Sequence, residues 1–351
     1  MKNTLITLIH HVHFILKLLS NNYFYIKNLI KIKSQISILF RLFKLSIALS
    51  FFDIKGGMGV FKNTLKSILS VKKYYKNGQK TLSLSDFQKQ KKSDTVFLLG
   101  SGPSINKINK EDWDQIKLKD SWGFNYWFCH DHVPDCFFAQ SHLKSPEGPE
   151  FDLNMDTLMT QMLIDKVSQY KKVRFYLRGD NVNKYIFHES KFGKAILTND
   201  FNCFFMSELV VSSNINIEPN YILKKLHEFG FFSKYSDKTP IPKLGNTITE
   251  LISLALITGY KKIILCGIDM NDESHFYDTD HYLSKYKYLR TLKEICDKQV
   301  VHPHMDNNIK KYTNKDIMID LQQLANKEFD CKIYVSDESS QLYPDIPKYF
   351  T

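Results

Sequence analysis

The sequence predicts an α/β domain built on a mostly parallel sheet, and three observations carry that prediction. From about residue 92 onward, short apolar runs alternate with stretches whose apolar residues recur at three- and four-residue spacing. Several of the runs are apolar throughout, as strands covered on both faces are. The first run, TVFLL at 95–99, ends directly in Gly-Ser-Gly-Pro-Ser at 100–104, a tight strand-to-helix turn.

Taken in chain order, the elements begin with a basic, apolar N-terminus. Lys2, Lys17, Lys27, Lys31, Lys33, Arg41, Lys44 and Lys55 stand against one acid, Asp53, before residue 62. The stretch LITLIHHVHFILKLLS at 5–20 carries three histidines and a lysine and lacks a small-residue cleavage site. It is read as neither a signal peptide nor a span, since a span needs roughly 18 to 20 uninterrupted apolar residues. Residues 26–52 repeat the pattern, with Lys or Arg every few positions among Ile, Leu and Phe. Amphipathic helices lying on an anionic membrane surface have this composition; helices packed on the domain or on another subunit would also show it. Nucleic acid is not expected as the partner, because Leu, Ile and Phe dominate over Arg, Gly and Ser.

The organisation expected is a membrane-association segment at 1–60, a linker at 61–91 containing the basic run VKKYYKNGQK, and a domain at 92–351. Strands are expected at 95–99, 120–125, 135–139, 173–177, 262–269 and 331–335, and helices at 152–170, 246–260, 281–297 and 313–329. Residues 180–245 mix aromatic residues, Asn and Lys with short runs, and are expected to form a lid or insertion.

The chain has 351 residues and a formal charge of +11, enough length for a sizeable core and a bias toward anionic partners. Its six cysteines are scattered without a Cys-x-x-Cys, as buried free thiols in a reducing compartment are. No His-Glu-x-x-His or Gly-x-Ser-x-Gly occurs, which disfavours zinc-protease and serine-hydrolase chemistry. The 100–104 turn lacks the third glycine of the dinucleotide fingerprint and the Lys-Ser/Thr ending of a phosphate loop. Two readings of it remain. A glycine turn at the mouth of a parallel sheet can aim backbone N–H groups at a phosphate, and a plain turn with Ser104 capping a helix uses the same residues. A second block, residues 245–278, combines a helix, a Gly-Tyr-Lys-Lys turn and a strand ending in Gly267-Ile268-Asp269. An aspartate there sits at the functional edge of such a sheet or caps a loop.

Together, the Gly-x-Gly-Pro-Ser turn and NTITELISLALITGYKKIILCGIDM at 246–270 resemble the bacterial sialyltransferases of glycosyltransferase family 42, over roughly residues 94–340. The related motility-accessory-factor proteins, which transfer nonulosonic acids, are similar too. The resemblance implies a GT-A-like, Rossmann-type sheet with flanking helices and a small lid, and a CMP-activated acidic sugar as donor. Gly100, Gly102, Pro103 and Ser104 match the family's first loop, with Ser101 where Asn is common. Asn125 matches a nucleotide-binding Asn, and Gln140 or Ser141 stands where a further Asn is expected. Asn246 and Thr247 stand at a donor-contacting Thr-Ser pair, and Gly267 and Asp269 match directly. Of the tyrosines that hold the donor phosphate, one is replaced by Asn271, and His275 or Tyr277 stands for the other.

The resemblance also implies a histidine general base shortly before an Asn-x-Asp segment. Asn314 and Asp316 match that segment, Lys311 occupies the register of the base, and His304 or His302 lies several residues upstream. An imidazole with an ordinary pKa near about 6.5 can take the acceptor hydroxyl's proton. No metal or other cofactor is required by the resemblance. Asp278-Thr279-Asp280 is a triplet of the Asp-x-Asp type that a divalent ion would use.

The expected function is inverting transfer of a sialic-acid-like sugar to a lipopolysaccharide or capsular glycan acceptor, by a peripheral protein on the cytoplasmic face of the bacterial inner membrane, with a homo-oligomer possible. The alternatives are a transferase of another activated acidic sugar (Kdo, pseudaminic or legionaminic acid) or an inactive membrane-attached nucleotide-binding scaffold.

Overall fold

A computed structural model describes residues 33–76, 78, 80–139, 149–178, 191–199, 201–212, 215–232, 239–270, 274–286, 288–290 and 312–351. Gln140, Ser141, Asn271, His302, His304 and Lys311 lie outside the described residues, as does the stretch at 5–20.

Nine strands are described: β1 Thr95–Leu99, β2 Asp120–Phe124, β3 Cys136–Ala139, β4 Arg174–Arg178, β5 Asn202–Met206, β6 Glu208–Val211, β7 Ile241–Leu244, β8 Lys262–Cys266 and β9 Lys332–Val335. Seven of them form one sheet in the order β5-β4-β3-β2-β1-β8-β9, and every pairing in it is parallel. The chain winds outward from β1 to β5 on one side and through β8 to β9 on the other. The order therefore reverses between β1 and β8, the place where an open parallel sheet leaves a crevice at its carboxyl edge.

β1 and β2 are buried at every residue, which is why their apolar runs show no alternation. The helices are α1 Lys33–Ser50, α2 Ile54–Lys76, α3 Leu84–Lys89, α4 Lys110–Leu118, α5 Pro149–Asp165, α6 Val167–Tyr170, α7 Lys191–Thr198, α8 Pro219–Glu228, α9 Thr247–Ile257, α10 Asp280–Lys285 and α11 Asn314–Phe329. α9 is apolar on nearly all sides and is buried from Ile248 to Ile257, so it is stable only inside the molecule. Asn246 caps its start, and Gly259, at φ +79°, follows its end. The helix expected at 152–170 is divided at Lys166 into α5 and α6.

Of residues 180–245, expected as a lid or insertion, the described part supplies β5, the edge of the main sheet, and β6 and β7, which pair in parallel and are joined through α8. Leu209, Val211, Leu226, Phe231 and Leu244 from this stretch join the same apolar cluster as Val96 and Leu98 of β1.

The N-terminal helices are packed on the rest of the described chain. α1 packs against α2 and α8, with Ile38, Leu42, Leu45 and Leu49 each at most 4% exposed. A Cβ on Gly57 would lie 2.7 Å from the Ser46 carbonyl oxygen, so glycine lets α1 and α2 approach backbone to backbone. The Arg41 guanidinium donates to the Gly230 carbonyl at 3.0 Å and to Thr239 Oγ1 at 3.2 Å, tying α1 to the body. Residues 61–91, expected as a linker, are most of α2, then α3, with Lys80 and Leu82 bonding to Phe205 along the outer edge of β5. No helix among the described residues is long and apolar enough to cross a membrane.

Candidate functional site

The carboxyl ends of β1 and β8 meet through their glycines. The Gly100 N–H donates to the Cys266 carbonyl and the Gly102 N–H to the Gly267 carbonyl, both at 2.8 Å. A Cβ on Gly100 would fall 2.6 Å from the Gly267 oxygen, and one on Gly102 would fall 2.4 Å from Asp269 Oδ2. Gly267 itself has φ +66°, a conformation that favours glycine. The two turns are thus packed on one another, and a side chain at any of the three positions would separate them.

Ser104 and Asp269 lock this contact. The Ser104 N–H donates to Asp269 Oδ2 at 2.9 Å and its hydroxyl to Oδ1 at 2.5 Å. Asp269 is 5% exposed, and burial pushes its carboxyl pKa up while the two Ser104 bonds oppose the shift. From behind, the Ser340 hydroxyl donates to the Ile268 carbonyl and the Gln341 N–H to the Asp269 carbonyl.

This geometry changes the expected role of the turn. The N–H groups of Gly100, Gly102 and Ser104 are engaged within the protein, and Pro103 has none, so these residues shape the edge without cradling a phosphate in this conformation. Ser101 differs from them. Its hydroxyl oxygen is buried and finds no hydrogen-bond partner among the described residues, while its carbonyl accepts from the Phe276 N–H at 2.9 Å.

The remaining expected residues that are described lie along the same edge. Asn125 follows β2 at φ 54°, a left-handed conformation that Asn tolerates better than most residues. Asn246 accepts from the Thr249 N–H at 3.0 Å, and its amide donates to Asn314 Oδ1 at 3.0 Å, joining the amino ends of α9 and α11. Thr247 is the first residue of α9. Because both helices run back toward the amino ends of their strands, those helix starts lie at the carboxyl edge, where N–H groups favour anions. Asp316 forms a capping box with Thr313, a structural use of the matched Asn-x-Asp segment.

Residues 275–278 are seated on the first turn by the Phe276 N–H and by Asn106, whose amide donates to the Phe276 carbonyl at 3.0 Å. The His275 ring stacks on Tyr277 at 4.8 Å, and its Nδ1 lies 3.4 Å from Asp278 Oδ2. Tyr277 is 1% exposed, with its ring edge-on to Tyr126. Asp278 is held by His275 and Asp280 lies in the first turn of α10, and the described residues bring no three metal-ligating side chains together. Sequence reasoning missed Lys107 and Asp337, an ion pair of 2.9 Å beside the Ser104–Asp269 contact. Asp337 follows β9, and a segment leaving the last parallel strand must lie at this edge.

Downstream of Asn125, His130 and His132 pack against Trp113, and His130 Nδ1 accepts the His132 N–H at 2.9 Å. Burial, the largest cause in both, lowers the pKa of His130 to about 3 and that of His132 to about 4. The unfolded chain therefore takes up protons below about pH 6.5 that the folded chain refuses until about pH 3–4, so stability falls as pH falls across that window. Denaturant titrations should show a loss on the order of 5 kcal/mol between pH 7 and pH 4.5, roughly halved in a His130→Gln variant. A flat profile would contradict it.

Fold and edge together define an α/β protein whose two central loops are locked at the reversal point of a parallel sheet. Among known proteins, no family model matches the chain, and no curated protein sequence matches it. Two solved structures are similar to it. One is a tyrosine-to-phenylalanine variant of the sialyltransferase Cst-II in complex with CMP, at 18% identity and TM-score 0.37, over 72% of this chain and 85% of that one. The other is monomeric CstII, at 15% identity and TM-score 0.32, over 73% and 89%.

Proposed function

We propose that the protein is a glycosyltransferase that moves a sialic-acid-like sugar from a CMP-activated donor to a lipid-borne glycan acceptor of the lipopolysaccharide or capsular type. The observation that supports this reading is the Ser104–Asp269 contact. It brings the two sequence blocks that resemble sialyltransferases, 165 residues apart, into direct hydrogen bonding at the edge where parallel sheets bind ligands.

In this reading the donor nucleotide rests on Asn125, Ser101 and the start of α9 at Thr247, since the glycine N–H groups are already engaged. His304 or His302 takes the proton of the acceptor hydroxyl as that oxygen attacks the anomeric carbon, and the bond to the CMP phosphate breaks with inversion. Negative charge on the departing phosphate is met by hydroxyl and N–H donors and by Tyr277 or His275. No metal is assigned a part. The protein works at the cytoplasmic face of the bacterial inner membrane.

Wild-type protein incubated with CMP-N-acetylneuraminic acid should release CMP, faster when a lipopolysaccharide or capsular glycan acceptor is present. Replacing the base, His304→Ala or His302→Ala, should lower that rate about 100-fold or more. Release from CMP-Kdo alone would favour the other acidic sugar; no release from any CMP-sugar, with CMP still bound, would favour the inactive scaffold. Equal rates in both histidine variants would remove them from the mechanism.

A further inference from the structure

The hairpin of α1 and α2 has a second, outward surface that the core does not use. Neither helix contains an Asp or Glu. Between Lys33 and Lys76 nine basic residues stand against Asp53 alone, and the Asp53 carboxylate already accepts the N–H groups of Gly56 and Asn216. Of the eight strongly exposed large apolar side chains among the described residues, five lie here: Phe40, Phe51, Phe52, Ile54 and Tyr75. Phe51 and Phe52 are 60% and 62% exposed at the turn between the helices, with Ile54 beside them. Positions 40 and 44 fall on one stripe of the first helix, opposite the buried Leu42, Leu45 and Leu49, and Phe51 follows directly after its end. Positions 55, 62, 66 and 73 of α2, all Lys, share one face at seven- and four-residue spacing. Lys44 Nζ lies 4.6 Å from the centre of the Phe40 ring, an apolar ring with a cation laid on it.

We infer that this hairpin is a docking surface for an anionic lipid bilayer, with Phe51, Phe52 and Ile54 entering the headgroup boundary and the α2 lysines lying on the lipid charge. Aromatic residues at a tip backed by a row of lysines fit a surface that is apolar just below and negative above. A second copy of the chain does not fit, because it would bring one lysine-rich face against another. The inference does not rest on the donor reading. It also differs from a detachable anchor, since the inner side of the same helices is part of the core.

The test is sedimentation of the full chain with vesicles of phosphatidylcholine, alone or mixed with phosphatidylglycerol. The wild type should bind the mixed vesicles, release on raising the salt, and ignore pure phosphatidylcholine. Lys55→Glu with Lys62→Glu, and separately Phe51→Ser, should each weaken binding on the order of tenfold, with thermal melting and nucleotide binding unchanged. Binding unaltered in both variants would overturn the inference and assign any attachment to residues before Lys33. So would equal binding to pure phosphatidylcholine, or a change of oligomeric mass in the variants without loss of vesicle binding.

Discussion

Deletion of residues 1–60 should leave no cooperatively folded protein. Ile38, Leu42, Leu45 and Leu49 would leave the core together, and the Arg41 bonds to Gly230 and Thr239 would go with them. At roughly 1.5–3 kcal/mol for each buried aliphatic side chain, the four contribute about 6–12 kcal/mol, comparable with the whole stability of a domain. The loss also takes away the first turns of α2, the helix that packs on β6. Circular dichroism of the 61–351 fragment should show no sharp melting transition. A gentler version is Leu45→Ala, expected to cost about 2–4 kcal/mol by denaturant titration. A fragment that melts like the full chain would show that α1 only rests on the body.

Asp269→Ala should be the most damaging single change at the candidate site. It removes both acceptors of Ser104, leaving a buried N–H and a buried hydroxyl unpaired. The cost is about 2–4 kcal/mol, and CMP binding should fall with it because the two turns are no longer locked. Ser104→Ala deletes only the hydroxyl bond and should cost about 1 kcal/mol. Asp269→Asn keeps the shape and one acceptor, and its comparison with the wild type carries a pH signature. Burial holds the Asp269 carboxyl above its ordinary value. Its contribution is then fullest below about pH 3.9 and is lost as pH rises through the raised folded value. The stability gap between wild type and Asn variant should therefore narrow with rising pH. A gap that widens would mean that the Ser104 bonds outweigh burial.

The central sheet was legible because its strands are covered on both faces and read as unbroken apolar runs, as TVFLL and KIILC do. α9 and α11 were legible from their periodicity and caps. β6 and β7 were not, since Glu208, Pro242 and Lys243 interrupt their apolar pattern. In the fold Glu208 is fully buried and meets Lys243 Nζ at 3.0 Å, a pairing that no local pattern announces. The N-terminal helices were legible as basic and amphipathic, but not that their apolar residues divide between an inner face at Leu42, Leu45 and Leu49 and an outer one at Phe40 and Phe51.

The glycine turn shows the same limit at the site. Two glycines in 100–104 announce that something approaches the backbone closely, but a phosphate and another loop make the same demand. Here the near neighbours are Gly267 and Asp269, far away in sequence. The second block held the answer, and only tertiary contact joins it to the first.

The measurement that tests the account most directly is calorimetric titration of the full chain with CMP, CDP, UDP, GDP and NAD, repeated on Asn125→Ala. The account predicts selective binding of CMP that is lost in the Asn125 variant while the fold persists. Preference for UDP, or no nucleotide binding at all, would contradict it.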